Sequence, residues 1–243
     1  MKHEQLLHAI RAACDLSGDH ELWIFGSQAI LGNFQEAEQN EALSLSREVD
    51  MTPKNKLDKI DLIDGVLGEG SDFDEHYGFY VHGVPMHDAA YLPRDWVDRC
   101  VRVKIKGSDG NVKTAFCIEV HDLIVSKLAR FAEKDIEFAE TVIEFKMADP
   151  NRLLKRIEQT NDPRIPKLNM DKMKNWCLKE IESFNPGPSA VVGLPYGTIL
   201  NGQGFEMVYP EDPKSDGAAC GFDISSNIKC RRREPCTIHK KKC

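Results

Sequence analysis

The sequence predicts an α+β domain over residues 1–184 and an irregular appendage over residues 185–243. Three observations carry this. Short apolar runs that read as strands all lie before residue 121. Helical periodicity dominates from there to residue 184. At Asn185-Pro186-Gly187-Pro188 the periodicity stops, and the chain beyond is rich in glycine and proline.

The elements follow in order. His3–Leu16 reads as an amphipathic helix, because Leu6, Leu7, Ile10, Ala13 and Cys14 recur at helical spacing and Gly18 stops it. Glu21–Phe25 is an apolar strand, with Gly26-Ser27 at its end and a helix start at Gln28–Leu31. Glu48–Met51 is a second strand, ended by Thr52-Pro53. Lys56–Leu67 is a helix, and Gly68–Gly78 is a glycine-rich, acidic loop. Phe79–Val81, Arg99–Lys106 and Lys113–Val120 are further strands; the last two are joined at Gly107-Ser108-Asp109-Gly110, which predicts a hairpin. One long helix runs from about Asp122, a suitable N-cap, to Lys146. Asn151–Gln159 and Asp171–Phe184 are helices, the latter with Met173, Trp176, Cys177 and Ile181 in its apolar set.

Composition narrows the function. Of 243 residues, 41% are hydrophobic and 29% charged, as in a folded globular chain. No stretch reaches the roughly 20 apolar residues of a membrane-spanning helix, and Met1–Gln5 opens no signal peptide. A cytoplasmic protein with no membrane partner is expected. Lys229–Lys242 holds seven Lys/Arg and one acid; subtracting these from 32 and 39 leaves a net charge of −13 on the rest. Such an acidic body is a poor general nucleic-acid binder. Any polynucleotide must meet a local patch or the basic tail. Cys14, Cys100, Cys117 and Cys177 read as buried apolar residues. Cys230, Cys236, His239 and Cys243 could bind Zn²⁺, although Cys236-x₂-His239 is their one tight pair; reduced, unpaired thiols are the competing reading.

Two places concentrate chemistry. Gly26 allows a tight turn and close approach to a ligand; a helix beginning at Ser27 would aim N–H groups and a hydroxyl at a phosphate. In Glu48-Val49-Asp50, a strand puts both carboxylates on one face, where they repel unless a cation such as Mg²⁺ lies between them. On one continuous helix, Lys127, Arg130 and Lys134 would form a cationic stripe fit for a triphosphate. Asp135 would then fall on the apolar face, so either the helix breaks there or Asp135 is a buried ion-pair partner. Glu119 is the candidate third carboxylate, on the last strand. Glu69 and Asp74 rank below it; His76, His82 and His87 could approach the site, although a lone histidine more often reads as a satisfied polar residue.

Phe25-Gly26-Ser27 followed by Glu48-Val49-Asp50-Met51 resembles the signature of the polymerase-β-like nucleotidyltransferase superfamily, with Glu48 where aspartate is commoner. Lys127-Leu128 with Arg130, Lys134 and Asp135 resembles a block of uncharacterised bacterial nucleotidyltransferases related to AbiEii-type abortive-infection toxins. Leu62–Gly83 and Leu92-Pro93-Arg94-Asp95-Trp96 extend the likeness, over about residues 5–160. The resemblance implies a mixed β-sheet flanked by helices, with a helical region after it. It implies transfer of an NMP from an NTP to an RNA, protein or small-molecule acceptor, in the manner of a toxin held by an antitoxin or of a phage-defence enzyme. Alternatives remain: an inactive nucleotide- or protein-binding module on the same fold, or a binding role of the tail.

Overall fold

The computed structural model describes residues 1–184 and, beyond them, the backbone of three short strands, Thr198–Leu200, Glu206–Val208 and Ile228–Lys229, which continue the sheet at one edge. In the body, α1 (His3–Ser17), β1 (Glu21–Phe25), α2 (Ala29–Asn33) and α3 (Glu41–Ser44) lead to β2 (Glu48–Pro53). Then come α4 (Ile60–Leu67), α5 (Asp72–Tyr77), β3 (Tyr80–Gly83), α6 (Met86–Ala89), α7 (Trp96–Arg99) and the hairpin of β4 (Val101–Lys106) and β5 (Val112–Cys117). Four helices follow: α8 (Val120–Leu128), α9 (Glu133–Glu144), α10 (Pro150–Gln159) and α11 (Lys167–Ser183). The result is an α+β fold whose body sheet runs β3-β2-β1-β5-β4.

The sheet is mixed: β1 is antiparallel to β2 and parallel to β5, β2 is parallel to β3, and β4 is antiparallel to β5. Register sorts its side chains by the strand period of two. Leu22, Ile24, Val49, Met51, Val81, Ala115, Cys117 and Val103 share one face and are buried. There α2 packs so closely that a Cβ on Gly32 would lie 2.3 Å from Cys117 Sγ. The opposite face carries Trp23, Phe25 and Phe116, with Trp96 tilted against Trp23 and Phe25 at 5.0 and 5.8 Å between ring centroids. Glu48, Asp50 and His82 project on this second face.

Local rules place the elements. The apolar stripe of α1 is buried, and Gly18 ends the helix in the left-handed conformation at φ +67°. Asn40 caps α3, Ser71 caps α5 and Asp149 caps α10. Cys14, Cys100, Cys117 and Cys177 are buried free thiols, as expected. No helix among the described residues is long and apolar enough to cross a membrane.

Four expectations are corrected. The helix from Asp122 to Lys146 is two helices, because Ala129–Ala132 reverses the chain and Phe131 takes φ +52°. The cap of α8 is Glu119 rather than Asp122, which lies inside the first turn. The strand ends at Cys117, not Val120, and Gly68–Gly78 contains α5.

Two tests follow. Gly32→Ala should cost about 1–3 kcal/mol in urea unfolding, since α2 must lift off the sheet, and a second change, Cys117→Ala, should recover part of the loss. His3 is buried with Nδ1 3.1 Å from the Leu31 carbonyl, and burial draws its pKa below the ordinary 6.5. The unfolded chain therefore binds the proton more readily. Stability should fall as pH drops from 6.5 through the depressed native value, and His3→Gln should flatten that part of the pH–stability curve.

Candidate functional site

The C-terminal end of β1 turns sharply at Gly26, with φ +66°, and the carbonyls of Gly26 and Ser27 accept the N–H groups of Ala29 and Ile30 to begin α2. Opposite Phe25 in the antiparallel register stands Asp50. Its carboxylate fills the space above Gly26: a Cβ there would meet Asp50 Oδ2 at 2.0 Å. Glycine is thus required twice, by the backbone angle and by the closeness of the acid.

Glu48 lies two residues back on the same face, and β3 supplies the flanking groups. Tyr80 donates its hydroxyl to Glu48 Oε2 at 3.2 Å. His82 Nδ1 lies 2.9 Å from Asp50 Oδ1 and 3.2 Å from Glu48 Oε1. Glu48, Asp50 and His82 each offer a ligand atom, all within 4.8 Å of one another. Burial raises the Glu48 carboxyl above its ordinary pKa and the neighbouring Asp50 adds to the rise, against His82 and Tyr80. The hydrogen bond to Asp50 holds the His82 imidazolium up to about 9; burial opposes it, and the charges of Asp50, Glu48 and Asp64 reinforce it. The ring therefore stands as a cation against the acid pair.

Across the turn, Lys127 near the end of α8 donates from Nζ to Ser27 Oγ at 2.8 Å. It is 8% exposed, lies over the Phe138 ring at 4.5 Å, and has Asp135 Oδ1 at 3.7 Å. Burial lowers the pKa of this ammonium, while Asp135 and Asp50 support its charge. Arg130 grips Asp135 with two bonds, of 3.1 and 2.7 Å. Asp135 is 1% exposed in the first turn of α9, so both readings of it hold in part: the helix breaks just before it, and it is a buried ion-pair partner. The cationic stripe is not one helix face. Lys127 belongs to α8, Arg130 to the connection, and Lys134 is exposed in α9.

Glu119 is not brought to the acid pair. It is 6% exposed, and its Oε2 accepts the backbone N–H of His121 and Asp122, at 3.0 and 3.4 Å. His121 Nε2 accepts the Asp149 N–H at 3.0 Å, so Nδ1 carries the proton and donates to Glu119 Oε1 at 2.6 Å. Burial works against the Glu119 charge, but His121, Arg156 and Arg152 hold its carboxyl well below the usual range. Beside it, fully buried Asp122 bonds Arg99 at 2.9 and 3.1 Å. These residues anchor α8 to α7 and α10. Asn33 adds a tie from α2, accepting the Val120 N–H at 3.1 Å and donating to the Ile118 carbonyl at 2.9 Å.

Asp74 is likewise structural: it pairs with Arg47 and accepts the Gly70 N–H at 3.2 Å. His82, ranked low from the sequence, stands against both acids. Its signal was the strand period, which puts Tyr80 and His82 on one face of β3, but only the parallel register with β2 makes that the face of the acids. The zinc candidates Cys230, Cys236, His239 and Cys243 lie outside the described residues. A groove of about 470 Å³, lined by Leu57, Ile60, Pro85, Met86, His87 and Leu92, lies beyond the C-terminal ends of β2 and β3 and includes none of Ser27, Glu48, Asp50, His82 and Lys127.

The model of one protein family, described as "Nucleotidyltransferase of unknown function (DUF6036)", matches residues 4–183. No curated protein and no solved structure matches the chain.

Gly26→Ala tests the closure of the turn on the acid. The new methyl group must displace the Asp50 carboxylate and occupy a strained φ, at a cost of about 1–3 kcal/mol in chemical denaturation. Divalent-cation affinity, read by calorimetry on the folded variant, should fall with it.

Proposed function

Because this chain belongs to the family described as a nucleotidyltransferase of unknown function, we propose that it transfers a nucleoside monophosphate from an NTP to a hydroxyl acceptor at the site between Ser27 and Asp50. One observation carries the placement: the Gly26 turn closes directly on the Asp50 carboxylate, with Glu48 beside it and the Lys127 ammonium on Ser27 Oγ. In the transfer, the acceptor hydroxyl loses its proton to solvent as its oxygen bonds to the α-phosphorus, the bond from that phosphorus to the oxygen bridging the β-phosphate breaks, and pyrophosphate leaves.

Glu48 and Asp50 are the residues that would hold a divalent cation, Mg²⁺ by the sequence expectation. Two carboxylates that repel one another on one strand face are a fitting donor set for it. Once bound, the cation supplies charge neutralisation at the phosphates and a fixed orientation for in-line attack. Ser27 offers its hydroxyl to a phosphate oxygen. Lys127, partly desolvated, gives a stronger field there than a solvated lysine would. Arg130 and Lys134 extend the positive side for the outer phosphates, and Asp135 keeps Lys127 and Arg130 from swinging away.

The Lys127–Asp135 block resembles that of uncharacterised bacterial nucleotidyltransferases related to abortive-infection toxins, and this favours a cellular RNA or protein as acceptor over a small molecule. It also favours an antitoxin partner that restrains the enzyme.

The test is incubation of the full-length protein with each α-³²P-labelled NTP, a divalent cation, and total cellular RNA or protein. Label should enter one class of macromolecule. Asp50→Asn should reduce it roughly a hundred-fold or more, and Lys127→Ala roughly a hundred-fold. Retained nucleotide binding with no label in any arm would identify a binding module instead. Expression in a bacterial host should arrest growth, and Asp50→Asn should relieve the arrest.

A further inference from the structure

The third member of the cation-binding cluster is a nitrogen donor, which bears on the choice of ion. In the parallel β2–β3 register, Glu48 is opposite Tyr80 and Asp50 opposite His82. The strand beside the acids therefore delivers an imidazole to their own face. Its Nδ1 stands 2.9 Å from one Asp50 oxygen and 3.2 Å from one Glu48 oxygen. An octahedral ion with bonds of about 2.1 Å holds cis ligand atoms about 3.0 Å apart. The nitrogen is thus at the edge length of a coordination octahedron from both oxygens. The hydroxyl of Tyr80 takes the other Glu48 oxygen, Oε2, which leaves Oε1 turned to the cluster.

Donor chemistry then separates the ions. Mg²⁺ takes oxygen ligands and holds its waters, and an imidazole contributes little to its binding. First-row transition ions gain from a ring nitrogen. The third carboxylate sought at Glu119 is engaged elsewhere, as the cap of α8.

We propose that His82 is the third protein ligand of the cation held by Glu48 and Asp50, and that it biases the site toward a first-row transition dication over Mg²⁺. This rests on the reading of Glu48 and Asp50 as cation ligands. The Nδ1 proton now shared with Asp50 is released to solvent as the ion binds, and the freed lone pair of His82 takes one corner while both acids bind through oxygen.

Mn²⁺ is the probe. The purified full-length protein is titrated with Mn²⁺, the free ion being followed by electron paramagnetic resonance, and Mg²⁺ is added as competitor. His82→Asp, which replaces nitrogen by oxygen, should lower the ratio of Mn²⁺ to Mg²⁺ affinity roughly tenfold or more. His82→Ala should weaken Mn²⁺ binding roughly ten- to a hundred-fold. Pulsed resonance of the Mn²⁺-loaded wild type should show the ¹⁴N coupling of a bound imidazole, and His82→Asp should abolish it. An unchanged ratio in His82→Asp, or equal or tighter Mn²⁺ binding by His82→Ala, would overturn the proposal: the ring would then only stand in for the ion and withdraw when it binds. Failure of the underlying reading looks different. Wild type and Asp50→Ala would bind Mn²⁺ equally, whatever residue stands at position 82.

Discussion

The structure depends on one electrostatic constraint: two carboxylates on the same face of β2, a strand that cannot turn either of them away. A strand offers two faces, and the other is filled by Val49 and Met51 against the apolar core. The acids must therefore share the outer face and be compensated there. Three devices do so. Gly26 admits Asp50 against bare backbone, Tyr80 hydrogen-bonds Glu48, and the His82 imidazolium meets both acids. Tyr80 and His82 lie on β3 and Gly26 directly follows β1, the two strands adjoining β2, so the sheet register and the site are one arrangement.

The cationic side is built by a different principle. Lys127 is positioned by the anchoring of α8 rather than by a strand. Glu119 caps that helix, His121 joins the cap to the Asp149 backbone, and Asp122 binds Arg99 within the interior. Leaving such charges buried without partners would cost several kcal/mol. Their pairing therefore fixes where α8 begins, and with it where Lys127 reaches Ser27. The turn at Ala129–Ala132 brings Asp135 back against Lys127 and Arg130, so that the buried Lys127 has a buried counter-charge and the exposed Arg130 closes over it.

What could be read from the sequence follows this division. The bounds of β1, the hairpin of β4 and β5, and the pairing of Glu48 with Asp50 are local: a period of two or a turn signal writes each within a few residues. The same local logic assigned the four buried thiols. The break between α8 and α9 was signalled only by Asp135, which one continuous helix would put on the apolar face; the positive φ of Phe131, which marks where the chain turns, has no local signal. Glu119 was misplaced for a related reason. Val120 fits both the end of a strand and the first turn of a helix, and the cap that decides between them depends on His121 and Asp149 meeting. His82 required the pairing partner of β3, which no local pattern names. The α5 helix, six residues among glycines and acids, is too short to show a period.

The bond between Lys127 and Ser27 joins residues one hundred positions apart, whereas the acids and their flanking ring are all synthesised by residue 82. An emerging polypeptide thus carries its negative half long before the ammonium that faces it. Until α8 has left the ribosome and docked, the acid pair has no Lys127 ammonium across the Gly26 turn. Connectivity alone thus sets the order in which the two sides of the site can meet.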